Sequence, residues 1–198
     1  CPDPLVVAPP QHPRRLVFLG SPAMAVPPLQ ALVGAGHDLA LVGGPVRDAL
    51  LGRTASDLDF TTSARPEQTE ALLAEWGSAT WDMGREFGTI GARGSGGVVV
   101  EVTTYRADAY DGATRKPVVA FGDSLEDDLV RRDFTVNAMA LRLPDLAFVD
   151  PHGGLADLEA GLLRTPSTPQ VSFGDDPLRM MRAARFVAQL GLVPTPEV

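Results

Sequence analysis

Two aspartates that lie two residues apart, Asp57 and Asp59, are the first candidates for chemistry in this sequence. They belong to the run Asp57-Leu58-Asp59-Phe60, which is typical of a β-strand. Because successive strand side chains point to opposite faces, both carboxylates should lie on one face. Neighbouring carboxylates repel each other unless a cation lies between them, and Mg²⁺ accepts a few carboxylates beside substrate phosphates. The pair predicts a hard-cation site, although such a pair alone is usually a solvated strand end.

A glycine pair, Gly43-Gly44, precedes the aspartates and follows an apolar run that is typical of a buried strand. Pro45 favours the first turn of a short helix, where a missing N–H costs nothing. Glycines before a helix let backbone N–H groups approach an anion, and Arg47 is close enough to reach the same anion. Glycines at this position are often only a tight turn. In combination with the aspartate pair, they predict a phosphate cradle beside a cation site.

A third carboxylate, Glu101, lies inside the strand pattern VVVEVTTYR. A carboxylate among valines is costly unless it is paired. A salt bridge to Arg106 or to a neighbouring strand is one explanation. With Asp57 and Asp59 nearby, Glu101 also becomes the natural third ligand of the cation site.

Charged and amide side chains cluster again in EDDLVRRDFTVNAMAL, residues 126–141. At helical spacing, Asp133 and Asn137 lie on one face. The first three acids of the segment fit a solvated helix face. Asn137 does not, because an amide among apolar residues needs a specific hydrogen-bond partner.

The final cluster is FGDDPLRMMRAARF, residues 173–186, in which Asp176 and Arg179 are three positions apart. Arg179, Arg182 and Arg185 repeat at every third position. Taken alone, this pattern is a polar helix stripe with weakly stabilising i,i+3 pairs.

The elements that must position these residues alternate between strands and helices, which predicts an α/β fold of the α+β type with a mixed sheet flanked by helices. Strands are predicted over 16–19, 39–42, 57–60, 80–83, 88–92, 98–105 and within 144–149, with a hairpin turn at 94–97. Helices are predicted over 27–35, from Pro45 onward, and over 66–76, 125–143, 155–160 and 173–190. Residues 107–124 have no steady period and predict a mobile loop that could act as a lid. We divide the chain into a proline-rich, disordered segment (1–14), a head (15–150) and the start of a helical neck (151–198).

Composition narrows the function classes. The chain of 198 residues is 44% hydrophobic and 21% charged, as in ordinary globular proteins. Cys1 is its only cysteine, which excludes a disulfide framework, a cysteine zinc site and a disulfide-linked partner. A formal net charge of −8 disfavours bulk binding to nucleic acid. No segment has the length of a membrane span, so we expect a cytoplasmic protein, and a first residue other than Met suggests a fragment.

The stretch LVGGPVRDALLGRTASDLDFTT, residues 41–62, resembles the signature of the tRNA nucleotidyltransferase (CCA-adding enzyme) and bacterial poly(A) polymerase family, within the polymerase-β-like nucleotidyltransferases. The later motifs VVVEVTTYR, RRDFTVNA, DPHGGLADL (150–158, given only a hinge role) and FGDDPLRMMRAARF follow in the family's order. The family usually has Glu-Asp where this chain has Asp175-Asp176.

This resemblance implies transfer of CMP and AMP from CTP and ATP to a tRNA 3′ end, with tRNA held mostly by domains absent from this chain. It implies that two Mg²⁺ ions are held by the catalytic carboxylates Asp57, Asp59 and Glu101. It implies that the following residues bind nucleotide: Gly43, Gly44, Arg47, Arg132, Asp133, Asn137, Asp176, Arg179, Arg182 and Arg185. Among these, Asp176 and Arg179 would read the base.

Alternatives remain open at this stage. A poly(A) polymerase, or an enzyme that adds only CC or only A, would carry the same motifs. A nucleotide-binding module without turnover is an alternative of another class. Residues 15–42, RLVFLGSPAMAVPPLQALVGAGHDLALV, also resemble the opening of methionyl-tRNA formyltransferase, which suggests a fusion or a mosaic gene. A formyltransferase-type protein ranks last, because no later motif supports it.

Overall fold

The computed structural model describes residues 26–53, 58–94, 97, 99–109 and 118–198. Its helices are Val26–Gly34 (α1), Gly44–Leu50 (α2), Pro66–Trp76 (α3), Leu125–Val130 (α4), Gly154–Ala160 (α5), Pro169–Asp175 (α6) and Leu178–Leu190 (α7). Its strands are Leu39–Val42 (β1), Leu58–Thr62 (β2), Ala79–Gly84 (β3), Thr89–Arg93 (β4), Val99–Thr104 (β5), Arg106–Ala109 (β6), Val118–Phe121 (β7), Ala140–Leu143 (β8), Ala147–Val149 (β9), Leu162–Leu163 (β10) and Val193–Pro194 (β11). No helix in this described part is both long and apolar enough to cross a membrane.

Seven strands form one mixed sheet in the order β3-β4-β5-β2-β1-β8-β9. The β2–β5 pair is parallel, and the other neighbouring pairs in this sheet are antiparallel. The mixed sheet flanked by helices that the sequence predicts is therefore confirmed.

Strand β1 lies inside the sheet, and both of its faces are covered. Leu39 and Leu41 belong to a buried cluster that includes Leu32 of α1 and Leu73 of α3. Ala40 and Val42 point the other way and pack in a second cluster with the buried leucines of α4. Because both faces are buried, every residue of this strand is apolar and the sequence lacks the usual alternation. Full burial of one leucine side chain contributes about 1.5–3 kcal/mol.

A tight turn connects β1 to α2. Gly43 adopts a φ of 73°, a left-handed conformation that a side chain rarely allows. Pro45 lies in the first turn of α2, as predicted, and it is buried together with Val46. The turn fixes the direction in which α2 leaves β1.

The continuous helix predicted over 125–143 is wrong. Helix α4 ends at Val130, a short 3₁₀ turn follows at Thr135–Asn137, and β8 pairs antiparallel with β1. The side chain of Asp133 accepts hydrogen bonds from Phe134 N (2.8 Å) and Asn137 Nδ2 (3.0 Å). Aspartate competes with the helix for backbone donors in this way, and the chain therefore turns.

The single helix predicted over 173–190 is also wrong. Helix α6 begins at Pro169, before the predicted start at residue 173, and ends before Asp176, whose backbone is extended (φ −147°, ψ 99°). Pro177 has no N–H and disfavours the helical conformation at the residue before it. Helix α7 starts afresh at Leu178, so Asp176 and Arg179 do not share one helix.

Part of the irregular loop predicted over 107–124 is ordered as a hairpin. Strands β6 and β7 pair antiparallel from Arg106–Phe121 to Ala109–Val118. Each strand is four residues long, too short for an alternating pattern to be recognised reliably. Residues 110–117 lie outside the described residues, so their mobility stays a prediction. The predicted strand over 16–19, the disordered segment 1–14 and Asp57 also lie outside.

The DPHGGLADL motif forms a capped turn, as its sequence indicates. The two carboxylate oxygens of Asp150 accept hydrogen bonds from Gly154 N (2.7 Å) and Leu155 N (3.0 Å) at the start of α5. Gly154 packs so closely that an added Cβ would lie 2.1 Å from the carbonyl oxygen of Thr135. The turn therefore connects α5 to the 3₁₀ turn with no space for a side chain.

Candidate functional site

A cavity of about 410 Å³ opens on the face of the sheet that α4 covers. Its lining brings together ten charged residues from distant parts of the chain, five arginines and five carboxylates. The lining residues are Val42, Asp59, Phe60, Thr89, Glu101, Thr103, Arg106, Asp128, Arg131, Arg132, Asp133, Asp176, Arg179 and Arg182.

One wall of the cavity carries two of the predicted carboxylates. Asp59 of β2 is directly opposite Glu101 of β5 in the parallel ladder, so both side chains point to the same face. Glu101 is exposed, whereas Val100 and Val102 on either side are fully buried. The exposed position explains how a carboxylate can be tolerated among valines.

The described residues contain no group of three or more His, Cys, Asp or Glu side chains that could hold a metal ion. Asp57 lies outside the described residues, so the predicted set of three carboxylates stays a prediction. Asp59 and Glu101 supply oxygen donors of the kind that a hard divalent cation prefers, and they fit a magnesium site in chemistry and in register.

A buried carboxylate that the sequence analysis assigned to a solvated face, Asp128, holds the opposite wall together. Only 5% of its surface is exposed. It accepts hydrogen bonds from Arg132 Nη2 (3.1 Å), Thr61 Oγ1 (3.3 Å) and the backbone N–H of Arg106 (3.2 Å). An acid spaced four residues before an arginine was the available signal in the sequence, but this spacing is common on exposed helices.

The guanidinium group of Arg132 lies against the glycine turn. An added Cβ on Gly43 would be 3.2 Å from Arg132 Nη1, so a glycine at this position lets the arginine approach closely. Arg132 Nε is buried and has no hydrogen-bond partner among the described residues. Arg132 therefore keeps an unused donor in addition to the group that binds Asp128.

Arg47 is not among the residues that line the cavity. Its Nη1 donates to Asn137 Oδ1 (2.7 Å), and its Nε donates to Asp48 Oδ1 (2.9 Å). Asn137 Nδ2 in turn donates to Asp133 Oδ1 (3.0 Å), so the partner that the sequence predicts for Asn137 is confirmed. These contacts use at most three of the five N–H donors of Arg47, so the expectation that Arg47 reaches an anion stays a prediction.

The same network continues into α7. Arg182 donates from Nε to Asp133 Oδ2 (2.8 Å) and makes an ion pair with the same oxygen through Nη2 (2.7 Å). Beside it, Phe186 is buried, packs edge-to-face on Phe134 (5.6 Å between centroids) and has the guanidinium of Arg185 5.3 Å from its ring centroid. Helix α7 is thus fixed to the head by one charged pair and one aromatic anchor, and Arg185 belongs to the anchor rather than to the cavity lining.

The proposed base-reading pair lies at the break between α6 and α7. Asp176 Oδ1 accepts from Leu178 N (2.9 Å), which caps α7. Arg179 donates from Nη1 to Ser172 Oγ (2.9 Å) and from Nη2 to the carbonyl oxygen of Arg131 (2.6 Å). Both residues line the cavity, although a break at a proline rather than a continuous helix separates them.

Two further arginines in the cavity, Arg106 and Arg131, were not identified from the sequence as functional. Burial lowers the pKa of Arg106, and this effect is opposed by Asp128 and reinforced by Arg132 and Arg179. Burial also lowers the pKa of Arg131, with a further contribution from Arg106. An arginine stays charged at neutral pH despite such shifts, so these groups add concentrated positive charge that favours an anionic ligand.

Comparison with known proteins identifies this arrangement. Residues 39–164 match the family model described as the poly A polymerase head domain. The chain belongs to this family. The glycine turn, the β2–β5 carboxylates and the Arg132 turn of the head domain all lie within the matched residues.

Relatives of this head domain share its sequence and its fold. The chain is 42% identical over 180 residues to a CCA-adding enzyme of Bacillus subtilis (strain 168). The aligned region covers 87% of this chain and 42% of that relative. The crystal structure of a Bacillus stearothermophilus CCA-adding enzyme in complex with CTP matches it with a TM-score of 0.76 and 40% identity, over 88% of this chain and 40% of that one. An apo form of a CCA-adding enzyme matches with a TM-score of 0.77 and 28% identity, over 90% of this chain and 42% of that one. The chain thus spans about two fifths of the length of these relatives.

Proposed function

We propose that this head domain catalyses the transfer of CMP and AMP from CTP and ATP to the 3′ end of tRNA, releasing pyrophosphate. The observation that carries the proposal is that one cavity is lined by Asp59, Glu101, the Asp176–Arg179 pair and four further arginines. Carboxylates on one side suit a cation and a reacting hydroxyl, and arginines on the other suit a triphosphate. Relatives named as CCA-adding enzymes, one of them solved with CTP, support the choice of substrate.

In this proposal, Asp59 and Glu101 hold two Mg²⁺ ions together with Asp57, whose place rests on the sequence alone. Bound Mg²⁺ supplies charge neutralisation for the triphosphate and lowers the pKa of the attacking hydroxyl. The chain's own contribution is to hold two carboxylates in register on adjacent strands, at a wall open to the cavity.

The triphosphate is held mainly by Arg132 in this proposal. Its guanidinium lies beside the glycine turn and lines the cavity, which suits a phosphate oxygen. The role of the Gly43 and Gly44 backbone toward the triphosphate rests on the sequence alone. Arg47, Asn137 and Asp133 form a chain of hydrogen bonds that joins α2 to Arg182.

Base selection is assigned to Asp176 and Arg179. Cytosine and adenine both present an amine donor beside a ring-nitrogen acceptor, whereas uracil and guanine present a carbonyl beside an N–H. A carboxylate accepts from the amine and a guanidinium donates to the ring nitrogen, so this pair matches the first two bases and rejects the others.

The reaction is tested with tRNA that lacks its 3′-terminal CCA. The tRNA is incubated with CTP alone, ATP alone or both, and the length of the product is measured. Addition of CCA with both nucleotides supports the proposal. A long adenosine tail identifies a poly(A) polymerase, and addition of only CC or only A identifies a partial enzyme. Binding of CTP without any product would instead favour a nucleotide-binding module. A cytoplasmic location and the binding of tRNA through further domains remain predictions.

The assignment of base selection has its own test. Asp176→Asn replaces a pure acceptor with a group that can also donate. The preference for CTP and ATP over UTP and GTP should shrink, because two good hydrogen bonds to a base edge give about 1–3 kcal/mol of discrimination. Titration of all four nucleotides with Mg²⁺ measures this. An unchanged preference would mean that the base is read elsewhere.

A further inference from the structure

Arg179 is held by two neutral oxygen atoms that come from different parts of the fold. One is the hydroxyl oxygen of Ser172 on α6, 2.9 Å from Nη1, and the other is the carbonyl oxygen of Arg131 in the head, 2.6 Å from Nη2. Both acceptors are uncharged, so they orient the guanidinium without neutralising it. Because the N–H donors of arginine form a rigid planar fork, fixing two of them also fixes the direction of the others.

The fold places Ser172 for this contact. Its side chain is fully buried, and its carbonyl accepts the N–H of Asp176 (3.3 Å), so the serine lies one turn before the carboxylate of the proposed base-reading pair. The helix breaks at Asp176 and Pro177, and Arg179 on the next helix contacts α6 through Ser172. The end of α6 therefore carries Asp176 itself and orients Arg179 through the hydroxyl of Ser172.

We infer that Ser172 is a positioning residue that sets the direction of the Arg179 guanidinium, and hence the selectivity for the incoming base; this rests on the base-reading role assigned to Arg179 above. The backbone carbonyl of Arg131 provides the second anchor and ties that direction to the head. Loss of the hydroxyl leaves Arg179 charged and in place but free to rotate about the remaining contact. Base selectivity should then fall, while contacts with the triphosphate persist.

The first experiment measures orientation without any nucleotide. Nitrogen relaxation of the Arg179 Nε–H group, assigned by its disappearance in Arg179→Lys, should report a rigid group in the wild type and a mobile one in Ser172→Ala. Ser172→Thr keeps the hydroxyl and should restore rigidity. Ser78→Ala is the matched control, because it removes a serine hydroxyl bonded to a backbone carbonyl (Arg93, 3.0 Å) at an exposed position elsewhere. Equal rigidity in the wild type and Ser172→Ala overturns the inference, whatever the protein's activity.

The second experiment measures the consequence for binding. The CTP-to-UTP affinity ratio of Ser172→Ala should fall by about tenfold, the lower end of what a hydrogen bond to a charged group contributes. In an Arg179→Ala background the same serine change should have no further effect, since a residue that acts only through Arg179 has nothing left to orient. A wild-type protein that binds CTP and UTP equally refutes the proposed base reading. A normal wild-type preference that survives in Ser172→Ala refutes the positioning role.

Discussion

The buried carboxylate of Asp128 provides the most direct test of how the cavity wall is built. Replacing it with alanine removes the acceptor of three hydrogen bonds at once: from Arg132, from the Thr61 hydroxyl and from the backbone N–H of Arg106. Arg132 and the backbone N–H of Arg106 each lose an acceptor, whereas the Thr61 hydroxyl also donates to the carbonyl oxygen of Thr103 (3.1 Å). We expect a loss of both stability and nucleotide affinity.

The size of the stability loss follows from these contacts. A hydrogen bond contributes about 1 kcal/mol, and one between charged groups about 1.5–3 kcal/mol. The Arg132 side chain is 24% exposed, so water replaces part of what it loses, and the lower value applies to that pair. The sum is about 3–4 kcal/mol for Asp128→Ala, equivalent to a fall of roughly 6–16 °C in melting temperature for a chain of this size. Asp128→Asn keeps an acceptor oxygen and should lose about half as much.

Thermal unfolding measures the loss, and Asp127→Ala is the matched control. Asp127 is the preceding residue of α4 and is exposed, so its removal should cost less than about 1 kcal/mol through the helix dipole. CTP titration provides the second readout, because a displaced Arg132 should weaken binding in the Asp128 variants only. If Asp127→Ala and Asp128→Ala lower the melting temperature equally, the interpretation of Asp128 as the buried hub of this wall is wrong.

Four further predictions concern the site and the neck. Glu101→Gln should abolish transfer in the product-length assay with little change in melting temperature, because Glu101 is exposed; a large fall in melting temperature would make it a structural residue. Gly154→Ala should destabilise the protein by more than about 3 kcal/mol in urea unfolding, since its Cβ would meet a carbonyl oxygen at 2.1 Å. Gly174→Ala, within α6 and with open space around it, should instead stabilise by about 0.5–1 kcal/mol. Burial lowers the pKa of His152 from its usual 6.5, so the unfolded chain takes up this proton first and stability should fall as the pH drops below 6.5; unfolding curves of His152→Gln should lack this dependence.

The sequence determined the elements whose signals are local. The apolar run of β1, the glycine turn with Pro45, helix α3 and the alternation around Glu101 could all be read directly, because each depends on periodicity or on backbone preferences of its own residues. The order of the motifs also sufficed to identify the family by resemblance. Asp59 and Glu101 could be predicted as partners because strand alternation leaves only two faces to choose from.

The tertiary structure decided what depends on contacts between distant residues. Asp127 and Asp128 are neighbours of the same type, and only the packing of α4 against β2 and β6 makes one exposed and the other buried. Arg47 donates to Asn137, ninety positions later in the chain, a contact that no local pattern around Arg47 indicates. The hydroxyl that orients Arg179 could not be anticipated either, because it depends on how α7 folds back after Pro177. The partner of a side chain depends on which distant segments the tertiary fold brings next to it. Local sequence patterns carry no information about the contacts between such segments.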